Sequence, residues 1–103
     1  MSPKIFEYRG ITLSFFSNEH LPAHVHAIYA GECGMKVEFY LKGDKIVRKD
    51  YSVLKGYEAF PPAQMKDLKK LINKYEYDIV DDFINFAFKN LKVKTRIITR
   101  KIE

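Results

Sequence analysis

The chain has 103 residues, of which 47% are hydrophobic, 15% aromatic and 30% charged, and its formal net charge is +5. This composition argues against intrinsic disorder, because 8 Phe and 7 Tyr can bury enough apolar surface to offset the entropy of ordering the chain. The single cysteine, Cys33, excludes an internal disulfide and a zinc site made of several cysteines. The length predicts one domain over residues 1–103.

The sequence also lacks the marks of a membrane or exported protein. No apolar run approaches the roughly 20 residues that a helix needs to cross a bilayer. The first residues, Met1 to Ile5, do not form the apolar core of a signal peptide. We therefore expect a cytoplasmic protein with no membrane partner.

The first half of the chain alternates apolar and polar residues, which is typical of strands with one buried face. Turn formers such as Gly31 and Gly43 separate the alternating runs, and short turns of this kind join antiparallel neighbours. Residues 1–58 are therefore expected to form an antiparallel meander of four or five strands. The expected strands cover residues 5–8, 11–16, 24–30, 35–42 and, as a short last strand, 45–48.

The apolar period changes to 3.6 residues after Pro61, as in a helix that packs on one face. An apolar stripe ending at Tyr75 predicts a first helix, and a wider apolar set over residues 78–90 predicts a second. Both helices lie within residues 61–91. The fold class is therefore expected to be α+β, with an antiparallel sheet covered by two C-terminal helices.

The positive charge is concentrated at the C-terminal end of the chain. Residues 1–88 contain 12 Lys or Arg and 12 Asp or Glu, whereas residues 89–103 contain six bases and only Glu103 as an acid. Residues 92–103 are expected to form an extended basic tail that binds phosphate groups of RNA or DNA without sequence choice. The alternatives are a solvated strand and an arm that docks on an acidic protein. The predicted nucleic-acid-binding residues are Lys92, Lys94, Arg96, Arg100 and Lys101.

All three histidines lie within seven residues, at His20, His24 and His26. Side chains at positions 24 and 26 of a strand project to the same face, about 7 Å apart along the chain. His20 precedes a turn at Pro22 and can fold back towards them. The spacing therefore predicts a common site for the three imidazoles.

The imidazole cluster is compatible with three interpretations, of which two are chemical and one is structural. Three neutral imidazoles can hold a divalent transition metal, with Glu19 or Glu38 as a further ligand or as an orienting group. Two histidines across a phosphodiester can instead act as general base and general acid. In the third interpretation, His24 and His26 are polar, outward-facing strand residues and His20 closes a turn. The candidate catalytic residues are His20, His24 and His26, and the candidate metal ligands are the same three with Glu19.

Three stretches of the sequence resemble a known family. They are Arg9 to Ile11, Phe15 with Phe16, and Asn18 to Ala27. They are similar to the small bacterial proteins called domain of unknown function 4160, whose pattern is an acidic residue, His, any residue, two prolines, His, any residue and His. This sequence has Ala23 at the second proline and otherwise matches with Glu19, His20, Pro22, His24 and His26.

The resemblance implies an α+β fold that carries the histidine motif, and it transfers no catalytic residue. It also implies a gene context like that of toxin–antitoxin pairs, with a small cognate protein encoded nearby. The leading hypothesis is therefore a component of such a module that binds nucleic acid or acts on it, in the enzymatic version as an RNase. The alternative is a non-enzymatic interaction module that docks on an acidic protein by its basic tail and sheet edge.

Overall fold

The computed structural model of the protein describes residues 3–16 and 21–103, and it contains a sheet and a long helix. Five strands precede the helix and one follows it. In chain order the elements are β1 (Lys4–Tyr8), β2 (Ile11–Ser14), β3 (Ala23–Tyr29), β4 (Cys33–Lys42), β5 (Lys45–Val53), α1 (Pro62–Ala87) and β6 (Arg96–Ile98). The α+β class is confirmed.

The sheet has six strands in the order β5-β4-β3-β2-β1-β6. Neighbours among β1 to β5 are antiparallel, which confirms the meander. The prediction of a purely antiparallel sheet with four or five strands is wrong, because β6 adds to β1 in parallel. Parallel pairing needs a long crossover connection, and α1 provides it. The last meander strand also runs beyond Arg48 to Val53, which pairs with Met35.

The two helices that the sequence predicted are continuous in the structure as one helix, α1, which is kinked where the first was expected to end. Helix α1 has 26 residues and passes through a local distortion at Tyr75, where φ is −114° and ψ is 17°. Residues 63–87 contain no proline or glycine, so nothing ends the helix at this point. The expected start is confirmed, since proline occupies the first turn. Within the described ranges 3–16 and 21–103, no helix combines the length and apolar character that crossing a bilayer requires.

The core lies between α1 and one face of the sheet. Alternation puts Leu13 of β2, Val25 and Ala27 of β3 and Val37 of β4 on that face, and all four are fully buried. They belong to the same cluster as the buried residues of the helix, which come from both sides of the distortion. The helical members are Leu68, Leu71, Ile72, Ile79, Val80 and Phe83.

The C-terminal segment, residues 92–103, is attached to β1 along its length. The Thr95 hydroxyl donates to the carbonyl oxygen of Lys4 at 2.9 Å, and β6 follows immediately. Further on, Ile102 is buried and its N–H donates to the Tyr8 hydroxyl oxygen at 2.9 Å. The expected basic tail is therefore extended, and it is fixed to the edge of the sheet.

Candidate functional site

Strand β3 brings two of the three predicted imidazoles together. His24 and His26 alternate with Val25 and Ala27, so they lie on the face of the strand opposite those core residues. The centroids of the two imidazole rings are 5.4 Å apart. His20, the third predicted member, lies outside the described residues, as does Glu19. The structure thus describes a histidine pair.

Both imidazoles of the pair are buried, at 8% exposure for His24 and 6% for His26. The Phe16 ring lies over His26 with 3.8 Å between ring centroids. The Phe83 ring of α1 lies 5.4 Å from that of His24. These histidines thus lie on the outer face of β3, as the third interpretation expected, but they are not exposed to solvent, because aromatic rings cover them.

The surroundings of the pair determine its protonation. His24 Nδ1 donates to the carbonyl oxygen of Pro22 at 2.9 Å, so this nitrogen carries a hydrogen. His26 Nδ1 is buried and has no hydrogen-bond partner among the residues that the structure describes. Burial, reinforced by the charges of His24 and Lys36, lowers the pKa of His26 to about 4. His26 is therefore a neutral imidazole near pH 7.

A pKa of about 4 limits what His26 can do as a catalyst. General acid–base catalysis is most efficient when the pKa of the catalytic group lies near the working pH. At neutral pH His26 is not protonated to the imidazolium form and so cannot act as a general acid, and the neutral imidazole is a weak base. A neutral imidazole is, on the other hand, the form that binds metals.

The metal prediction depends on residues that the structure does not describe. Within residues 3–16 and 21–103, no group of three or more His, Cys, Asp or Glu could hold a metal ion. Glu38, named as a further ligand, is the cross-strand neighbour of His24, but its carboxylate lies 3.7 Å from Lys36 Nζ. A site that includes His20 and Glu19, whether metal-binding or catalytic, stays a prediction of the sequence.

The C-terminal segment presents the second candidate surface, and its cations differ in their surroundings. Arg96 donates to the carboxylate of Asp82 at 2.8 Å, and its guanidinium lies 5.2 Å from the centroid of the Phe6 ring. Asp82 itself is buried, and burial raises its pKa although Arg96 opposes the shift. Arg96 is thus engaged within the protein. The other four predicted phosphate-binding residues are exposed and pair with no described carboxylate: Lys92, Lys94, Arg100 and Lys101.

Two lysines of α1 that the sequence analysis did not count among the phosphate-binding residues belong to the same surface. Lys70 and Lys74 of α1 line a groove whose other side contains Arg100 and Lys101. A signal for them exists in the sequence of α1. Residues 62–74 carry four lysines and one aspartate, whereas residues 75–87 carry four acids and no base. This change of charge along one helix is the sequence signal that points to Lys70 and Lys74.

Comparison with known proteins gives one match. A family model described as Domain of unknown function (DUF4160) matches residues 10–83. No protein with a curated description and no solved structure matches the chain. The matched range includes the histidine pair and most of α1, and it stops before the C-terminal segment.

Proposed function

The chain belongs to the family described as Domain of unknown function (DUF4160), and we propose that it binds nucleic acid through phosphate contacts of its C-terminal segment. The family description names no substrate and no reaction. One observation carries the proposal: the segment of residues 92–103 is attached to the edge of a folded sheet, and its exposed cations other than Arg96 have no carboxylate partner among the described residues.

Attachment of the segment favours binding for an entropic reason. A free basic arm has to be ordered when it binds, and each immobilised long side chain and backbone unit opposes association. Here Thr95 and Ile102 already hold the backbone to β1 on both sides of β6. Only the side chains of Lys92, Lys94 and the Arg100–Lys101 pair remain to be ordered when a phosphate backbone approaches.

Nucleic acid fits these cations better than the acidic protein considered as the alternative. A nucleic-acid backbone carries a phosphate at every nucleotide, so several cations in a row can each find an anion whatever the sequence. An acidic protein would have to present carboxylates at matching positions. Assembly with a cognate protein in a toxin–antitoxin-like module stays a prediction.

The proposal is binding without cleavage, and the histidine pair supports this choice. Both imidazoles are buried beneath aromatic rings, and the pKa of His26 is about 4. A buried, neutral imidazole is poorly suited to protonating the leaving group of a phosphodiester at neutral pH.

Neutralising the exposed cations of the C-terminal segment tests the proposal. Binding of a fluorescent oligonucleotide is measured by anisotropy at about 50 and 200 mM salt. For a single-stranded oligonucleotide, four phosphate contacts predict that the dissociation constant of the unaltered protein rises by about 50-fold over this range. The test variant loses most of this salt dependence. It combines four changes: Lys92→Gln, Lys94→Gln, Arg100→Gln and Lys101→Gln.

A matched control removes the same number of charges from elsewhere on the surface. It changes four exposed lysines outside the segment, and it is expected to keep the affinity within about 3-fold, since screened charges at a distance contribute little. No binding at low salt, or an equal loss in both variants, would contradict the proposal. The control combines Lys42→Gln, Lys45→Gln, Lys55→Gln and Lys69→Gln.

The same oligonucleotide reports on cleavage. It is expected to remain intact after prolonged incubation with the protein, as judged on a denaturing gel. Cleavage by the unaltered protein that disappears in His26→Gln would contradict binding without cleavage and assign a catalytic role to the histidine pair.

A further inference from the structure

A groove runs between the first half of α1 and the end of the C-terminal segment. Its volume is about 880 Å³, and Lys70 and Lys74 form one side while residues 97–103 form the other. This volume is within the range of about 300 to 1,000 Å³ that is typical of ligand sites. The groove therefore offers room for a ligand between two elements that are distant in sequence.

The groove is strongly cationic. Lys70 and Lys74 face Arg100 and Lys101 across it, and Glu103 is the single acid among the residues that line it. Lys70 and Lys74 form no ion pair with a described carboxylate. Asp67, the acid on the same half of the helix, lies 3.4 Å from Arg9 instead. Cations on two opposite walls favour a ligand with more than one negative charge.

The groove also has an apolar part. Ile98 and Tyr75 line the groove, and both are half-buried. The side chain of Ile97 lies on the other face of β6, because Ile97 alternates with Ile98. The position of Tyr75 is fixed, because its ring packs on that of Phe6 with 4.8 Å between centroids. Apolar surface at this position gains free energy when a flat apolar group covers it. The groove therefore suits a ligand that combines anionic groups with apolar faces.

Single-stranded nucleic acid has this combination. Its phosphates repeat along the backbone, and its unstacked bases expose flat faces for contact with side chains. In a duplex the base faces are stacked on one another, so mainly phosphates and base edges remain accessible. A duplex that binds through its phosphates to lysines alone would make no use of the apolar part of the groove.

We propose that the groove between α1 and the C-terminal segment binds single-stranded nucleic acid, with Lys70 and Lys74 contacting phosphates and Ile98 contacting a base. This inference rests on the proposed function and adds a strand preference and residues of α1 to it. The strand lies along the groove, with Arg100 and Lys101 contacting its backbone from the other side.

A pair of double variants tests the role of the groove lysines. Lys70→Gln with Lys74→Gln removes two charges from the groove, and Lys42→Gln with Lys45→Gln removes two from the hairpin between β4 and β5, at the opposite edge of the sheet. The full-length protein binds a labelled oligouridylate of about ten nucleotides, a length typical of single-strand sites. The groove variant is expected to lose about 10-fold in affinity and to reduce the salt slope by about 1.4. The control is expected to change affinity by less than about 3-fold.

A third variant separates the apolar contact from the charges. Ile98→Thr keeps a β-branched residue in β6 and removes apolar surface from the groove, and Ile97→Thr makes the same change on the other face of the strand as its control. For Ile98→Thr, the expected result is an affinity for the single strand about 3-fold weaker with an unchanged salt slope, since no phosphate contact is lost. An unchanged affinity for the single strand would contradict the base contact.

The outcomes distinguish this inference from the proposed function. Equal affinity for the oligouridylate and for a duplex of the same length, unaffected by the loss of Lys70 and Lys74, overturns the groove and leaves phosphate binding by the C-terminal segment intact. No binding of either nucleic acid at low salt overturns both. Binding of vesicles rich in anionic phospholipid, dependent on the same two lysines and without binding of the oligouridylate, also overturns both.

Discussion

The histidine pair and the C-terminal segment are both clusters of ionisable residues, yet the fold treats them in opposite ways. His24 and His26 lie in the middle of the sheet, beneath Phe16 and Phe83, and at most 8% of either side chain is exposed. The cations of residues 92–103 lie at the edge of the sheet and remain exposed, although their backbone is anchored. The histidine pair is in contact with aromatic rings in place of water, whereas the cations of residues 92–103 remain in contact with water.

This difference shows that clustering in sequence indicates a site only when burial is also known. Burial favours the neutral form of an imidazole, whereas exposure leaves lysine and arginine charged and accessible. The histidine pair therefore contributes to packing, and His26 also contributes to the pH dependence of folding. The segment contributes charge at a fixed position, which is what a polyanion recognises.

Removal of the aromatic cover is the strongest way to break this comparison. Phe83 is fully buried and contacts both His24 and Phe15. Phe83→Ala is expected to lower the free energy of unfolding by about 3 to 5 kcal/mol, because it leaves a cavity and removes ring contacts. Urea unfolding monitored by circular dichroism measures the change.

A matched phenylalanine serves as the control for this variant. Phe88 follows the same helix, and its ring contacts that of Phe83, but it is 57% exposed. Phe88→Ala is expected to cost less than about 1 kcal/mol, as at other surface positions. Similar costs for the two variants would mean that the helix does not cover the histidine pair as described.

The pH dependence of stability gives the second test. The pKa of His26 falls from 6.5 to about 4 in the folded protein. The unfolded chain then takes up a proton near pH 6.5 and the folded protein only near pH 4, so the stabilisation is complete above pH 6.5 and is lost as the pH falls towards 4. A pKa difference of this size corresponds to about 3 kcal/mol.

His26→Leu removes this titration while keeping an apolar side chain at the position. Between about pH 7 and pH 4, the unaltered protein is expected to lose about 3 kcal/mol more than the variant, since the carboxylates titrate in both. Urea unfolding of both proteins at the two pH values provides the comparison. Parallel losses would show that His26 titrates as an exposed histidine does.

The meander and the start of α1 could be predicted because local patterns carry them. Alternation marks β1 to β4, and Pro62 marks the first turn of the helix. The pairing of β6 has no such signal, because a strand of three residues is too short to alternate and its position depends on where α1 returns the chain. Helix α1 continues through the distortion at Tyr75. An apolar pattern alone does not show whether a helix ends or continues at such a point.

The candidate sites were predictable in part for a related reason. The closeness of His24 and His26 follows from strand geometry and was foreseen, but their burial depends on Phe83, which is far away in sequence. The sequence also counted Arg96 among the phosphate-binding residues, and its contact with Asp82 forms only when β6 lies beside α1. The types and spacing of the candidate residues could thus be predicted from the sequence, but their exposure and their partners depend on the tertiary structure.

The smallest expected effect concerns the anchoring of the C-terminal segment. The Tyr8 hydroxyl accepts a hydrogen bond from the N–H of Ile102, and this bond is buried. Tyr8→Phe removes the acceptor and leaves that N–H without it, at an expected cost of about 1 to 2 kcal/mol in the free energy of unfolding. Hydrogen exchange should report a larger effect near the segment, with faster exchange of the Ile102 amide than of amides in β3 and β4. Uniform acceleration of exchange in all strands would show that the segment and the meander unfold as one unit, so that the anchored edge could not loosen independently of the buried histidine pair.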